Sequence, residues 1–161
     1  MCIIIDACCR DEVFSITPTP AGAEVVKRIE SGQLALVLGG QLTQELVGQS
    51  VGSDEARRKV KAWRQAGKAW EVDGAKLAAE LAWVNAQALQ SNDHHIIALA
   101  RASGARTLFT VDGKAGGLLT KDFKNKNLVD RPKGVVYRNA AHTDLLKHTA
   151  SCGKLKKKRA K

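Results

Sequence analysis

The sequence predicts an α/β protein with a mostly parallel central sheet covered by helices on both faces. Short apolar runs rich in β-branched residues are typical of buried parallel strands, and they alternate with segments of helical periodicity. This alternation favours a parallel sheet. The chain has 161 residues, of which 44% are hydrophobic and 26% charged, and this is the length and composition of one globular domain.

The first third of the chain predicts two buried strands with a helix between them. The first strand, Cys2 to Ile5, ends directly on Asp6. Thr19 and Pro20 are a capping hydroxyl and a proline at the first helical position, which predicts a helix that ends near Gly32. A second strand covers residues 34–38, and the helix after it carries Glu45 beside its apolar face.

The remaining elements repeat this alternation. We expect a helix that is capped by Ser53 and ends at Gly67, a short strand over 69–72 and a helix over about 74–90. Ser91 or Asn92 then caps a helix that has Asp93 in its first turn and ends at Gly104. A strand over 107–110 precedes Asp112, a loop and short helix cover 113–127, and a last strand covers 134–137. The predicted domain is 1–140, followed by a flexible basic tail over 141–161.

Four acids are predicted at one edge of the sheet. Right-handed crossovers place the carboxyl ends of all parallel strands on the same edge, where α/β proteins bind their ligands. Several carboxylates in one place need a counter-charge, and Mg²⁺ or Mn²⁺ supplies it because both prefer oxygen ligands. Each acid also has a simpler explanation, such as a favourable helix-dipole position for Asp93 or a turn position for Asp112. The predicted metal-binding and catalytic acids are Asp6, Glu45, Asp93 and Asp112.

Four segments of this sequence resemble the four acidic motifs of PIN domains. They are Ile3-Ile4-Ile5-Asp6, Leu42-Thr43-Gln44-Glu45-Leu46, Asp93-His94-His95-Ile96-Ile97-Ala98-Leu99-Ala100 and Leu108-Phe109-Thr110-Val111-Asp112. The resemblance covers residues 1–137 and implies a Rossmann-like three-layer sandwich. It also implies that the four acids bind Mg²⁺ or Mn²⁺ in an endoribonuclease. Many prokaryotic members are VapC-like toxins held by an antitoxin protein, and homodimers are common among them.

The chain departs from the family pattern at two places. Cys8 stands where the family often has asparagine, and Asp122 follows the fourth acid at a greater distance than in the compact toxins. We interpret Asp122 as a surface residue, with an accessory acid as the alternative. Thr110 matches the small polar residue that commonly hydrogen-bonds near the fourth acid.

The charge of the chain predicts a polyanionic partner. The formal net charge is +10, and an excess of cations suits contact with the phosphates of RNA. The basic tail is either part of this contact or a solubilising segment. The predicted substrate-binding residues are Thr110, Lys114, Lys121 and Lys124.

Two other functions are compatible with the fold. The first is a non-catalytic RNA- or protein-binding module, which would need the basic surface and not the four acids. The second is a nucleotide-binding protein, but the chain lacks both the Gly-x-Gly-x-x-Gly and the Walker patterns. A metal-activated water requires neither His94 nor His95 as a catalytic base.

A cytoplasmic location is expected. The apolar runs are shorter than the roughly 20 residues of a membrane span, and the start of the chain does not have the pattern of a signal peptide. Four cysteines without a Cys-x-x-Cys spacing are interpreted as reduced thiols and not as a zinc site.

Overall fold

The computed structural model contains a five-stranded parallel sheet between two layers of helices, which confirms the predicted fold class. It describes residues 1–48, 52–111, 117–130 and 133–147. All four strand pairings are parallel, and the strand order is β3-β2-β1-β4-β5. The strands are β1 (Cys2–Ile5), β2 (Ala35–Leu38), β3 (Ala69–Glu71), β4 (Thr107–Phe109) and β5 (Val135–Tyr137).

Seven α-helices and two 3₁₀ helices surround the sheet in the part of the chain that the structure describes. The α-helices are α1 (Arg10–Phe14), α2 (Pro20–Glu30), α3 (Gly40–Val47), α4 (Asp54–Gln65), α5 (Gly74–Asn85), α6 (His94–Ser103) and α7 (Leu118–Lys124). The 3₁₀ helices are Ala7–Cys9 and Ala140–Leu146. None of the described helices has the length and apolar character of a membrane span.

The first strand is the centre of the sheet because it is apolar on both faces. All four of its residues are completely buried, as expected for a strand with helices above and below it. It pairs with β2 on one side and with β4 on the other. The sheet therefore extends from β1 through β2 to β3 on one side. After β3 the chain returns to the other side of β1, where β4 and then β5 are added.

This return creates a switch point between the carboxyl ends of β1 and β4. In doubly wound sheets the connections that leave two such strands run in opposite directions, and a crevice opens between them. Asp6 follows β1, and Thr110 follows β4. The predicted first acid thus lies at the position where this architecture provides room for a ligand.

The region between α5 and α6 differs from the sequence prediction. The helix expected to reach residue 90 ends at Asn85, and Asp93 itself occupies the N-cap of α6 in place of Ser91 or Asn92. A tertiary contact holds the segment between the two helices, since the backbone N–H groups of Gln90 and Ser91 donate to the carboxylate of Asp122. N–H groups held in this way cannot join a helical ladder.

Folded structure continues beyond residue 140, where the sequence analysis placed the start of the tail. The second 3₁₀ helix packs against β5 and α2, and its Leu146 is fully buried in the core. The hydroxyl of Tyr137 donates to the carbonyl of Ala21 at 3.2 Å and joins β5 to α2. Residues 148–161, with most of the predicted basic tail, lie outside the described residues.

Substitution of Gly22 tests the contact between α1 and α2. A Cβ atom at this position would lie 1.8 Å from the carbonyl oxygen of Glu12, so Gly22→Ala must push the two helices apart. We expect the free energy of unfolding to fall by at least about 2 kcal/mol, as for other overpacked sites. Chemical denaturation monitored by circular dichroism measures this change.

Gly74→Ala is the matched control. Nothing lies within 4 Å of a Cβ atom at Gly74, and its backbone is already helical, so the free energy of unfolding should stay the same or rise by about 0.4–1 kcal/mol. Equal stability of the two variants would contradict the close approach of α1 and α2.

Candidate functional site

The site is built around the carboxylate of Asp6. This residue is only 8% exposed, and its backbone N–H donates to the carbonyl of Phe109 at 2.9 Å. That bond extends the pairing of β1 with β4 by one residue and holds the acid at the switch point. Two side chains donate to its Oδ2, and both are neutral: the hydroxyl of Thr110 at 2.7 Å and the thiol of Cys8 at 3.3 Å.

Thr110 orients Asp6. Its side chain is fully buried, and its hydroxyl proton is directed at the Asp6 carboxylate. The predicted contact of Thr110 with substrate stays a prediction, and the structure shows its hydrogen bond to Asp6. Thr110 extends the carboxyl end of β4 as Asp6 extends that of β1, so the paired strands bring the two residues together.

Cys8 adds an exposed thiol beside the acid. Its Sγ lies 3.8 Å from the Sγ of Cys9 and 3.5 Å from the hydroxyl of Thr110. The hydrogen bond with Cys9 is the largest influence, and it lowers the pKa of Cys8 from 9.0 to about 7 against the opposing effect of burial. The same bond and burial raise the pKa of Cys9. Cys8 is the reactive thiol of this pair.

The expectation of reduced cysteines holds for only some of them. Cys8 and Cys9 are free thiols. Cys2 is disulfide-bonded, so the expectation is wrong for that residue. Cys152 lies outside the described residues.

Glu45 lies on α3, which packs against both the first 3₁₀ helix and α6. Each of its carboxylate oxygens has a partner. Gln41, one turn earlier on α3, donates to Oε1 at 2.7 Å, and Nε2 of His95 on α6 lies 3.1 Å from Oε2. The carboxylate is thus held between two helices, an arrangement that the sequence does not predict.

Asp93 caps α6 through its backbone. Its carbonyl accepts from the N–H of Ile96 at 3.0 Å, and its own N–H donates to the hydroxyl of Ser91 at 3.4 Å. Its side chain makes no cap hydrogen bond. The third predicted acid is therefore presented at the amino end of α6.

Asp122 was expected at the surface, and this expectation is wrong. The residue is 1% exposed, and its carboxylate accepts from the backbone N–H groups of Gln90 and Ser91 at 2.8–3.1 Å. It therefore anchors the loop that leads to Asp93. Its sequence neighbourhood contains lysines and gives no indication of burial, because the partners are backbone groups 31 or 32 residues away.

The described residues assemble only part of the predicted set. Asp6 and Thr110 are in direct contact, whereas Glu45 is bound to His95. No group of three or more His, Cys, Asp or Glu side chains in the described part of the chain is arranged to hold a metal ion. Asp112 and Lys114, a predicted ligand and a predicted substrate contact, lie outside the described residues.

Basic side chains lie on two helices near these elements. Lys121 and Lys124 are exposed on α7, the helix whose Asp122 contacts the loop before Asp93. A separate surface groove of about 410 Å³ is lined by Val47 of α3 and by residues of α4, including Arg57, Lys61 and Arg64. None of the predicted site residues within the described ranges lines this groove.

The fold and these positions define the class of the protein. It is a doubly wound α/β protein with a buried carboxylate at the switch point of its sheet. No protein-family model and no curated protein matches the chain.

Asp122→Asn tests the anchoring role of this acid. Asparagine has nearly the same shape, but its NH₂ group replaces Oδ1, the second acceptor for the N–H of Gln90, and the hydrogen bonds that remain to its single oxygen lack the charge of the carboxylate. This loss of hydrogen bonding costs about 1–3 kcal/mol, and we expect the free energy of unfolding to fall by that amount. Urea denaturation measures it, with the exposed Asp144→Asn as control. Equal stability of the two variants would contradict the anchor.

The thiol of Cys8 provides a pH-dependent test of the site. Only the thiolate is nucleophilic. Because the pKa of Cys8 is about 7, the thiol form predominates below this pH and alkylation should speed up as the pH rises through 7. Iodoacetamide labelling followed by peptide mass spectrometry gives the rate, and Cys8→Ser should remove the labelled peptide. A midpoint near 9 would contradict the hydrogen bonds assigned to Cys8.

Proposed function

We propose that the protein is a metal-dependent endoribonuclease of the PIN-like type. One observation carries this proposal: a buried carboxylate, Asp6, lies at the switch point of a parallel sheet and receives only neutral donors from the described side chains. A buried carboxylate is costly unless a cation compensates it. A divalent ion bound at this edge of the sheet would compensate the charge of Asp6.

The residues have the chemistry that Mg²⁺ or Mn²⁺ requires. Carboxylate oxygens are the preferred ligands of both ions, and we propose that Asp6, Glu45, Asp93 and Asp112 hold the metal. The ion would activate a water molecule and stabilise the charge that develops on the phosphate. The protein's part is to orient these acids before the ion binds, and the hydrogen bonds from Thr110 and Cys8 already fix Oδ2 of Asp6.

RNA is the proposed substrate because of the charge of the chain. The chain has 26 Lys and Arg residues and 16 Asp and Glu residues, and a surface of this sign attracts the phosphate backbone. Lys121 and Lys124 are the proposed phosphate contacts on α7, and Lys114 is proposed as a further one. A role as the toxin of a toxin–antitoxin pair, a homodimer and a cytoplasmic location belong to the same proposal.

A non-catalytic RNA-binding module is the second candidate. It is favoured by the finding that the described residues contain no group of three or more potential metal ligands. This candidate predicts RNA binding that is indifferent to metal ions and to the acids. The nuclease predicts that cleavage depends on both.

Cleavage of end-labelled RNAs separates the two candidates. With Mg²⁺ or Mn²⁺ the wild type should cut, and a chelator should stop it. Asp6→Asn and Asp112→Asn should each lower the rate by more than about 100-fold, because even the loss of an outer partner of a metal ligand costs 10–100-fold. Retained RNA binding by these variants serves as the control. Binding without cleavage under all metal conditions would favour the binding module.

The contribution of α7 is tested by the salt dependence of RNA binding. Each lost phosphate contact should lower the slope of log K against log salt by about 0.7–0.9, so the double variant Lys121→Ala/Lys124→Ala should lose about 1.5. Lys27→Ala is the control, because Lys27 lies in the last turn of α2, which leads to the amino end of β2. An unchanged slope in the double variant would exclude α7 from the RNA-binding surface.

A further inference from the structure

We infer that His95 is a positioning residue that sets the place of the Glu45 carboxylate relative to Asp93, and that it thereby raises the metal affinity of the site. This inference rests on the proposed function. The observation that supports it is the contact between Nε2 of His95 on α6 and Oε2 of Glu45 on α3, at 3.1 Å. The two residues are 50 positions apart in the sequence.

The direction of this hydrogen bond follows from the groups involved. An ionised carboxylate can only accept, so Nε2 of His95 carries the proton and donates. The imidazole side chain is 12% exposed and the Glu45 side chain 33% exposed, so solvent competes only partly for the bond. Oε2 keeps a second lone-pair direction, which leaves it able to coordinate a cation while His95 holds it.

The position of His95 gives this contact its significance. His95 lies two residues after Asp93, in the first turn of α6. Its hydrogen bond therefore ties a helix that presents one proposed ligand to the side chain of another. Groups that hydrogen-bond a metal ligand from behind fix its orientation, and their loss typically costs 10–100-fold in metal affinity or activity.

The other partners of Glu45 and of α6 do not duplicate this role. Gln41 donates to Oε1 from the same helix as Glu45, so it cannot set the separation between α3 and α6. His94 is adjacent to His95, but its Nδ1 contacts Oδ1 of Asn85 on α5 at 2.8 Å. The two histidines thus face different helices, and His94 provides a matched control for His95.

Binding of Mn²⁺ to the purified full chain tests the inference. Electron paramagnetic resonance of free Mn²⁺ gives the dissociation constant without any cleavage assay. His95→Leu keeps side-chain bulk on α6 but removes the donor, and we expect Mn²⁺ to bind 10–100-fold more weakly. His95→Gln retains an N–H donor and should keep most of the affinity. His94→Ala should bind as the wild type does.

A double-mutant cycle separates this inference from the proposed function. Glu45→Gln should weaken Mn²⁺ binding, and adding His95→Leu to it should have little further effect, because His95 acts through Glu45. Wild-type affinity in His95→Leu, together with weak binding in Glu45→Gln, overturns the positioning role and leaves the metal site standing. Wild-type affinity in Glu45→Gln overturns the positioning role and removes Glu45 from the proposed metal ligands, whereas no Mn²⁺ binding by the wild type overturns both proposals.

Thermal unfolding of each variant shows whether an affinity change reflects folding. If His95→Leu does not fold, His95→Ala takes its place as the variant without a donor and the same outcomes apply. Weak Mn²⁺ binding by both His95→Ala and His95→Gln, with folding intact, overturns the inference. In that case an N–H donor at position 95 would not be enough to keep the Mn²⁺ affinity.

Discussion

The hydrogen bond between Thr110 and Asp6 joins the two halves of this protein. β1 and β4 are neighbours in space but belong to opposite halves of the sheet, and their carboxyl ends form the switch point of its topology. A carboxylate at this point is almost out of contact with water. The hydroxyl of Thr110, the thiol of Cys8 and the extended backbone pairing hold it in one orientation.

Two buried aspartates show how one residue type takes two roles. Asp122 is satisfied by two backbone N–H groups of the loop before α6, and its carboxylate is part of the protein's own hydrogen bonding. Asp6 receives a hydroxyl and a thiol on the same oxygen, and it lies at the sheet edge where ligands enter. Burial alone therefore does not distinguish an anchor from a candidate ligand; the partners and the place in the topology do.

Several hydrogen bonds hold the candidate acids, or the loop before them, in fixed positions. Glu45 is held on both oxygens, and Asp93 follows a loop that Asp122 anchors. Preorientation of this kind reduces the ordering needed when a ligand binds. The same contacts tie α3, α6 and α7 together near the carboxyl edge of the sheet, so they also contribute to the stability of the fold.

The sequence by itself determined the class of fold and the strand-end position of Asp6. Apolar β-branched runs specify buried parallel strands, and the handedness of the crossovers places their carboxyl ends together. These are local or general rules, and they hold for residues 2–6 and 107–110 without knowledge of any partner. The placement of Glu45 on the helix after the second strand followed from the helical spacing of Leu42 and Leu46.

Only the tertiary structure decided which side chains meet. The segment between the end of α5 at Asn85 and the N-cap of α6 at Asp93 is held by a contact with the buried Asp122 across 31 residues. Helical periodicity does not reveal it, because a carboxylate that binds backbone N–H groups requires no particular residue type in its partner. The pairing of His95 with Glu45 likewise depends on how α6 packs against α3. A sequence records the residues that can form such bonds, and long-range packing decides which of them do.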